Sequence, residues 1–220
     1  GNQLGDLSPL SALDDLEELS LWDNGISDIS ALAGLDDLRG LELQNNSITS
    51  FAPLASLTDL EHLNIGSNPA NGDITALANL TRLSHLEMHN LDIEDLSPLA
   101  SLNNLNHLNF NDNRVSDLSP LAGCSGLSSL DGWNNRIETL TGLSGLNLYS
   151  IHLGNNDLED ISAIAGMSNL EELHVPDNDI EDISAITSLP NIRSLELHNN
   201  DIESLSALVA CDGLDSGDYL

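Results

Sequence analysis

Residues 16–37 read LEELSLWDNGISDISALAGLDD, that is, Leu-x-x-Leu-x-Leu-x-x-Asn-x-Ile followed by Ser-Asp-Ile-Ser-Ala-Leu-x-x-Leu. The first six residues alternate as a short strand with one apolar face would. The second half spaces its apolar residues three apart, which suits a single 3-10 or helical turn. The pattern returns about every 22 residues to the end of the 220-residue chain. A unit this small cannot bury its apolar face alone, so the copies must stack into a solenoid. The strands then form one parallel sheet on the concave side, and the turns line the convex side.

The register divides the chain cleanly. Residues 1–15 form a partial repeat, residues 16–213 nine full ones and residues 214–220 a last fragment, all in one domain. Full repeats begin at Leu16, Leu38, Leu60, Leu83, Leu105, Leu127, Leu148, Leu170 and Ile192. Asparagine at the ninth position (Asn24, Asn46, Asn68, Asn113, Asn135, Asn156, Asn178, Asn200) is expected to form an internal ladder, its amide satisfying turn backbone. Leu91 interrupts that ladder. The third repeat carries one extra residue around Asn68–Asp73, and the sixth lacks one near Leu146–Asn147. Ser or Thr opens almost every return turn, as Ser8, Ser30 and Thr75 do, and is expected to cap it. Pro9, Pro53, Pro98 and Pro120 follow at the first helical position. Cys124 and Cys211 occupy an apolar core position and are expected to be buried thiols rather than a disulfide.

Charge narrows the partners. The chain has 36 acids against 5 arginines and no lysine, a formal net charge of −31. Nucleic acid and anionic membrane need a basic footprint and are excluded. Cations, basic proteins or a screening high-salt, halophilic setting fit. No apolar run is long enough to span a membrane. The array begins in mid-repeat, and end repeats expose their core unless covered. Leu4, Leu7 and Leu10 at one end, and Tyr219 and Leu220 at the other, are therefore expected to be partly bare, which would arise from removal of flanking chain or favour end-to-end self-association.

Positions three, five and seven of each strand face the concave side. They collect all seven histidines and both tryptophans: the expected binding face comprises Glu18, Trp22, Glu42, His62, His85, Glu87, His89, His107, Asp131, Trp133, His152, His174, Glu196 and His198. Tyr149 stands beside it. Two rows could converge on a zinc, nickel or copper ion: His62, His85 and His107 with Glu87, and Asp131, His152, His174 and Glu196. The same carboxylate-crowded imidazoles could instead make a pH-responsive surface. A second acidic row (Asp6, Asp28, Asp73, Asp95, Asp117, Asp160, Asp182) starts the convex turns locally or binds calcium along that edge. No nucleophile elbow or phosphate-cradling glycine loop appears, so no catalytic residue is expected.

The return segments Ser27–Leu35 (SDISALAGL) and Glu94–Leu102 (EDLSPLASL) resemble those of the bacterial internalins and of the SDS22-like class of leucine-rich-repeat proteins. That resemblance implies a non-catalytic recognition protein working through the concave sheet, in a secreted or bacterial cell-surface setting. Residues 1–220 read as repeat throughout, so the helical N-terminal cap and following immunoglobulin-like domain of the internalin pattern are not expected within them, and they hold no lysine. Three functional readings follow: a module for a protein or peptide, basic in character; a metal-binding or pH-responsive version of that surface; and an engineered or scaffold array without a natural ligand.

Overall fold

The structure is a computed structural model that describes residues 2, 4–211 and 214. Nine three-residue strands pair in sequence order into one parallel sheet. They are β1 (Glu18–Ser20), β2 (Gly40–Glu42), β3 (His62–Asn64), β4 (His85–Glu87), β5 (His107–Asn109), β6 (Ser129–Asp131), β7 (Ser150–His152), β8 (Glu172–His174) and β9 (Ser194–Glu196). Between consecutive strands runs one 3-10 turn, such as Ser30–Leu32 or Ser119–Gly123, and α1 (Ser206–Ala210) follows β9. This is the expected leucine-rich-repeat solenoid. Leucine and isoleucine layers fill it, joined by buried Phe51, Phe110 and Met88. Cys124 and Cys211 are buried and free, as their core position implied.

The asparagine ladder holds the layers together. Asn113 is buried; its Oδ1 accepts from the Leu91 and Ile93 amides (3.1 and 2.9 Å), while its Nδ2 donates to Met88 O, Phe110 O and Asn111 O (3.0, 2.8 and 3.0 Å). Asn46, Asn68, Asn135, Asn156, Asn178 and Asn200 repeat this pattern, each joining its own turn to the repeat before it. Where the ladder is broken, Leu91 is buried in the apolar core, as is Ala70, and Gly72, at φ +78°, packs against the Asp92 carbonyl. A side chain at Gly72 would strike that carbonyl.

The position before each ladder residue is left-handed in every full repeat. Asp23, Asn45, Ser67, Asn90, Asp112, Asn134, Asn155, Asp177 and Asn199 have φ of 53–58°. Short polar side chains tolerate that conformation best. Aspartate, asparagine and serine all serve at this eighth position, so no single residue type marks it in the sequence.

The caps differ from expectation. At two turns Ser50 Oγ and Thr139 Oγ1, two residues earlier, accept the first amide, and among the described residues no Ser or Thr that opens a 3-10 turn caps it with its own side chain. Elsewhere the aspartate two residues earlier accepts the turn's first amide: Asp28 Oδ1 takes the Ser30 N–H at 2.8 Å, and Asp95, Asp117, Asp160 and Asp182 do the same at 2.7 Å. In those four the serine hydroxyl donates to the other carboxylate oxygen. The acidic edge row thus starts the convex turns, and these bonds hold Asp28, Asp95 and Asp117 below the ordinary carboxylate pKa.

Both length irregularities are absorbed outside the sheet. His62 pairs with His85, 23 residues on, and Ser129 with Ser150, 21 residues on, yet Leu63↔Leu86 and Leu130↔Ile151 keep the core register. At the first end, Leu4 is 40% exposed, but Leu7, expected to be partly bare, is buried because it packs into the first core layer. The expectation for Tyr219 and Leu220 lies outside the described residues.

Replacing Asn113 by alanine leaves several buried backbone groups without partners, and should cost about 2–4 kcal/mol in urea unfolding. Asn24→Ala, at the half-buried first rung, should cost clearly less. Equal losses at the two sites would contradict the ladder's role.

Candidate functional site

The concave face is a grid. Strands set one axis, with neighbours about 4.8 Å apart, and positions three, five and seven set the other. Pairing brings His62, His85 and His107 side by side, and likewise Asp131, His152 and His174. The grid carries six carboxylates (Glu18, Glu42, Glu87, Asp131, Glu172, Glu196), and none of the five arginines stands at these positions. The arginines sit outside it, and four of them pair with acids there: Arg39 with Glu17 and Glu61, Arg82 with Asp59, Arg114 with Asp92 and Glu94, and Arg193 with Glu171.

The histidines stack rather than converge. His62 and His85 rings lie 4.6 Å apart at 26°, and His152 and His174 lie 4.5 Å apart at 11°. His85 and His107 are more tilted, at 6.0 Å and 34°. Stacked imidazoles present faces to one another and aim their nitrogens elsewhere. Among the described residues, no group of three or more His, Cys, Asp or Glu side chains is placed to hold a metal ion. Among the described residues, therefore, neither row gathers three ligand side chains for zinc, nickel or copper, and the acidic edge gathers none for calcium.

The second row has a different logic. His152 Nδ1 lies 2.7 Å from Asp131 Oδ1, and its Nε2 lies 3.2 Å from Glu172 Oε2. Asp131 is also 3.8 Å from His107 Nδ1. The hydrogen bond to Asp131, opposed by burial and aided by the charges of Asp131 and Glu172, raises the His152 pKa. His174 Nε2 meets Ser194 Oγ at 2.8 Å; burial and the neighbouring His152 push its pKa down, against Glu196, Glu172 and Asp131. Burial, then His62 and His107, lower that of His85, with Glu87 opposing. Sequence reading put Glu196 in this cluster and missed Glu172, which supplies the second carboxylate. The signal was available: Glu172 is a neighbour of His152 one strand on and one position back, within reach of a leaning side chain.

Glycines shape the remaining surface. A side chain at Gly40 would collide with the Glu18 carboxylate, one at Gly66 with the His89 ring, and one at Gly154 with the Trp133 ring. Each large side chain lies across the bare backbone of an adjacent strand. Trp133 is thereby partly covered, whereas Trp22 remains 52% exposed. Tyr149 is 44% exposed beside Glu171, whose charge raises its pKa. His198 lies at the last strand, in a depression with Leu195, Leu197, Ile202, Leu205 and Leu208.

Comparison with known proteins agrees with the architecture. Residues 36–79 match the family model "Leucine Rich repeats (2 copies)" and residues 146–202 the model "Leucine rich repeat". Internalin C2 of Listeria monocytogenes is 34% identical, with a TM-score of 0.79 over 86% of this chain and 83% of that one. The internalin inlF of the same organism is 29% identical, with a TM-score of 0.83 over 98% of this chain and 70% of that one. The Arabidopsis receptor kinase HAESA ectodomain, solved with an IDA peptide hormone, is alike in fold alone: 23% identical, TM-score 0.76, over 88% of this chain and 35% of that one. No curated protein matches. Among the described residues, no helix is long and apolar enough to cross a membrane.

The sign of the His152 shift gives a test. A raised imidazole pKa contributes stability that is fully present below the ordinary value of about 6.5 and is lost as pH rises through the folded value. His85 and His174 act oppositely, costing stability as pH falls below about 6.5. NMR titration should find His152 protonating above, and His85 and His174 below, the ordinary range, with Asp131→Asn lowering the first. A His152 midpoint at or under the ordinary value would refute the arrangement.

Proposed function

Because the chain belongs to the leucine-rich-repeat family and its repeats are similar to those of the internalins, we propose that it is a non-catalytic recognition module for a protein or peptide of basic character. The observation that supports this most is the charge layout of the concave face: six carboxylates, seven histidines and no arginine. A partner that brings positive charge is steered to such a surface and fixed in register by it. Trp22 supplies an exposed anchor of the kind that carries binding energy at protein interfaces. The grid is shallow and open to water, which suits contact over many strands better than bond-breaking chemistry. HAESA shows that a fold of this shape can hold a peptide, although that likeness concerns the fold only.

A second reading adds pH dependence to the first. His152 lies between Asp131 and Glu172 and against His174, so acidification changes the charge of the C-terminal half of the face. On this reading a basic partner is held more weakly at acidic pH.

Selection from a displayed random-peptide library at neutral pH and low salt should enrich arginine, lysine and aromatic residues. Trp22→Ala should weaken the selected peptides by about 2 kcal/mol. The pair Glu87→Gln with Asp131→Asn should weaken them more than Asp157→Asn, which removes a charge off the face. Selected peptides with no basic bias, or equal losses from all three charge changes, would count against the proposal.

A further inference from the structure

The N-terminal end of the concave face has a depression of about 560 Å³, bounded by β1, β2, β3 and β4. It exists because Gly40, at position three of β2, has no side chain between Glu18 and His62. Glu18 leans its carboxylate across the bare backbone at Gly40. Glu42 and Glu87 also line the space, as do His62 and His85, stacked 4.6 Å apart. Ser20 Oγ donates to Glu42 Oε2, and Asn64 Nδ2 donates to Glu87 Oε2 at 2.8 Å. A carboxylate offers about four acceptor positions, so these bonds orient the two groups and leave them able to accept more. No arginine lines the depression to neutralise them.

We propose that this depression is a subsite for an arginine side chain of the partner, whose guanidinium stacks on the outer face of His62, the end ring of the His62–His85 stack on the Gly40 side, and donates to Glu18, Glu42 and Glu87. The inference rests on the recognition role proposed above and names one contact within it. Charge complementarity requires a cation. The mixture of a flat ring face and several separate carboxylates selects among cations. A guanidinium is planar, stacks on aromatic faces and spreads five donors in a rigid fork, whereas an ammonium is a compact, strongly hydrated point charge. A metal ion is the poorer match, because the stacked rings do not turn their nitrogens to a common point.

Acidification opposes occupancy. His85 faces His62 on β3, His107 on β5 and Glu87 on its own strand, and burial with the two flanking imidazoles keeps it uncharged at neutral pH. Once protonated, it sets a positive charge against the guanidinium. Arginine at this subsite should therefore bind more weakly as pH falls below the ordinary imidazole value of about 6.5.

The test titrates the full chain with the peptides acetyl-Gly-Gly-Arg-Gly-Gly-amide and its lysine counterpart, followed by NMR. The arginine peptide should shift the Gly40 amide and the His62 and His85 ring signals, with lysine weaker. Gly40→Leu fills the depression and leaves net charge unchanged; it should weaken the arginine peptide by about tenfold or more, as should Glu42→Gln, while Asp157→Asn should not. Glu42→Gln is close to isosteric and keeps the test decisive if Gly40→Leu disturbs the strand. Equal affinity for lysine, or indifference to both variants, overturns the subsite. Shifts centred on His152 and His174 also overturn it but leave the recognition role standing. Failure of this peptide together with failure of the displayed library to yield any basic binder overturns both.

Discussion

Everything on the concave face depends on a hydrogen-bond problem at the end of each strand. The chain must leave the sheet and turn through the interior, where backbone amides and carbonyls have no water to bond. An asparagine amide, with one acceptor and two donors, answers several of them at once, and each rung reaches the repeat before it. The ladder therefore does more than close each turn: it fixes the offset between successive repeats. The left-handed residue before it, and the aspartate that begins the convex turn, complete the circuit with local bonds.

With the offset fixed in the interior, the outside can vary. Leu63↔Leu86 and Leu130↔Ile151 stay opposed although their repeats are one residue longer and one shorter than the standard. The extra residue is taken up around Asn68–Gly72, where Ala70 is buried in the core, one repeat before Leu91 replaces the ladder asparagine. His85 consequently lies beside His62, and His152 beside Asp131. The irregular repeats do not disturb the two histidine rows; they keep them in line.

The architecture was legible because leucine spacing and the ninth-position asparagine express strong constraints on burial and hydrogen bonding. Other features were harder to read. The serine of each turn looked like a cap, but the aspartate two residues back is better placed to accept the first amide, so the serine hydroxyl bonds to that carboxylate instead. Position eight was overlooked because Asp, Asn and Ser all serve there, and no single letter marks it. Membership of the histidine rows followed from the repeat frame. Their stacking did not, since strand spacing fixes where Cβ atoms lie and not how the rings rotate. Glu172 was missed for the same reason: side chains reach diagonally across a grid that the sequence displays only in rows and columns.

The spacing of that grid has a consequence for any extended chain laid across it. Strands recur about every 4.8 Å, while alternate side chains of an extended peptide recur about every 6.6 Å. The two scales meet near 20 Å, where four strand steps match three side-chain steps. Between those points the ligand's side chains fall progressively out of phase with the strands, as the marks of a vernier do. A nine-stranded face spans about two such intervals, so an extended chain laid along it would come into step more than once.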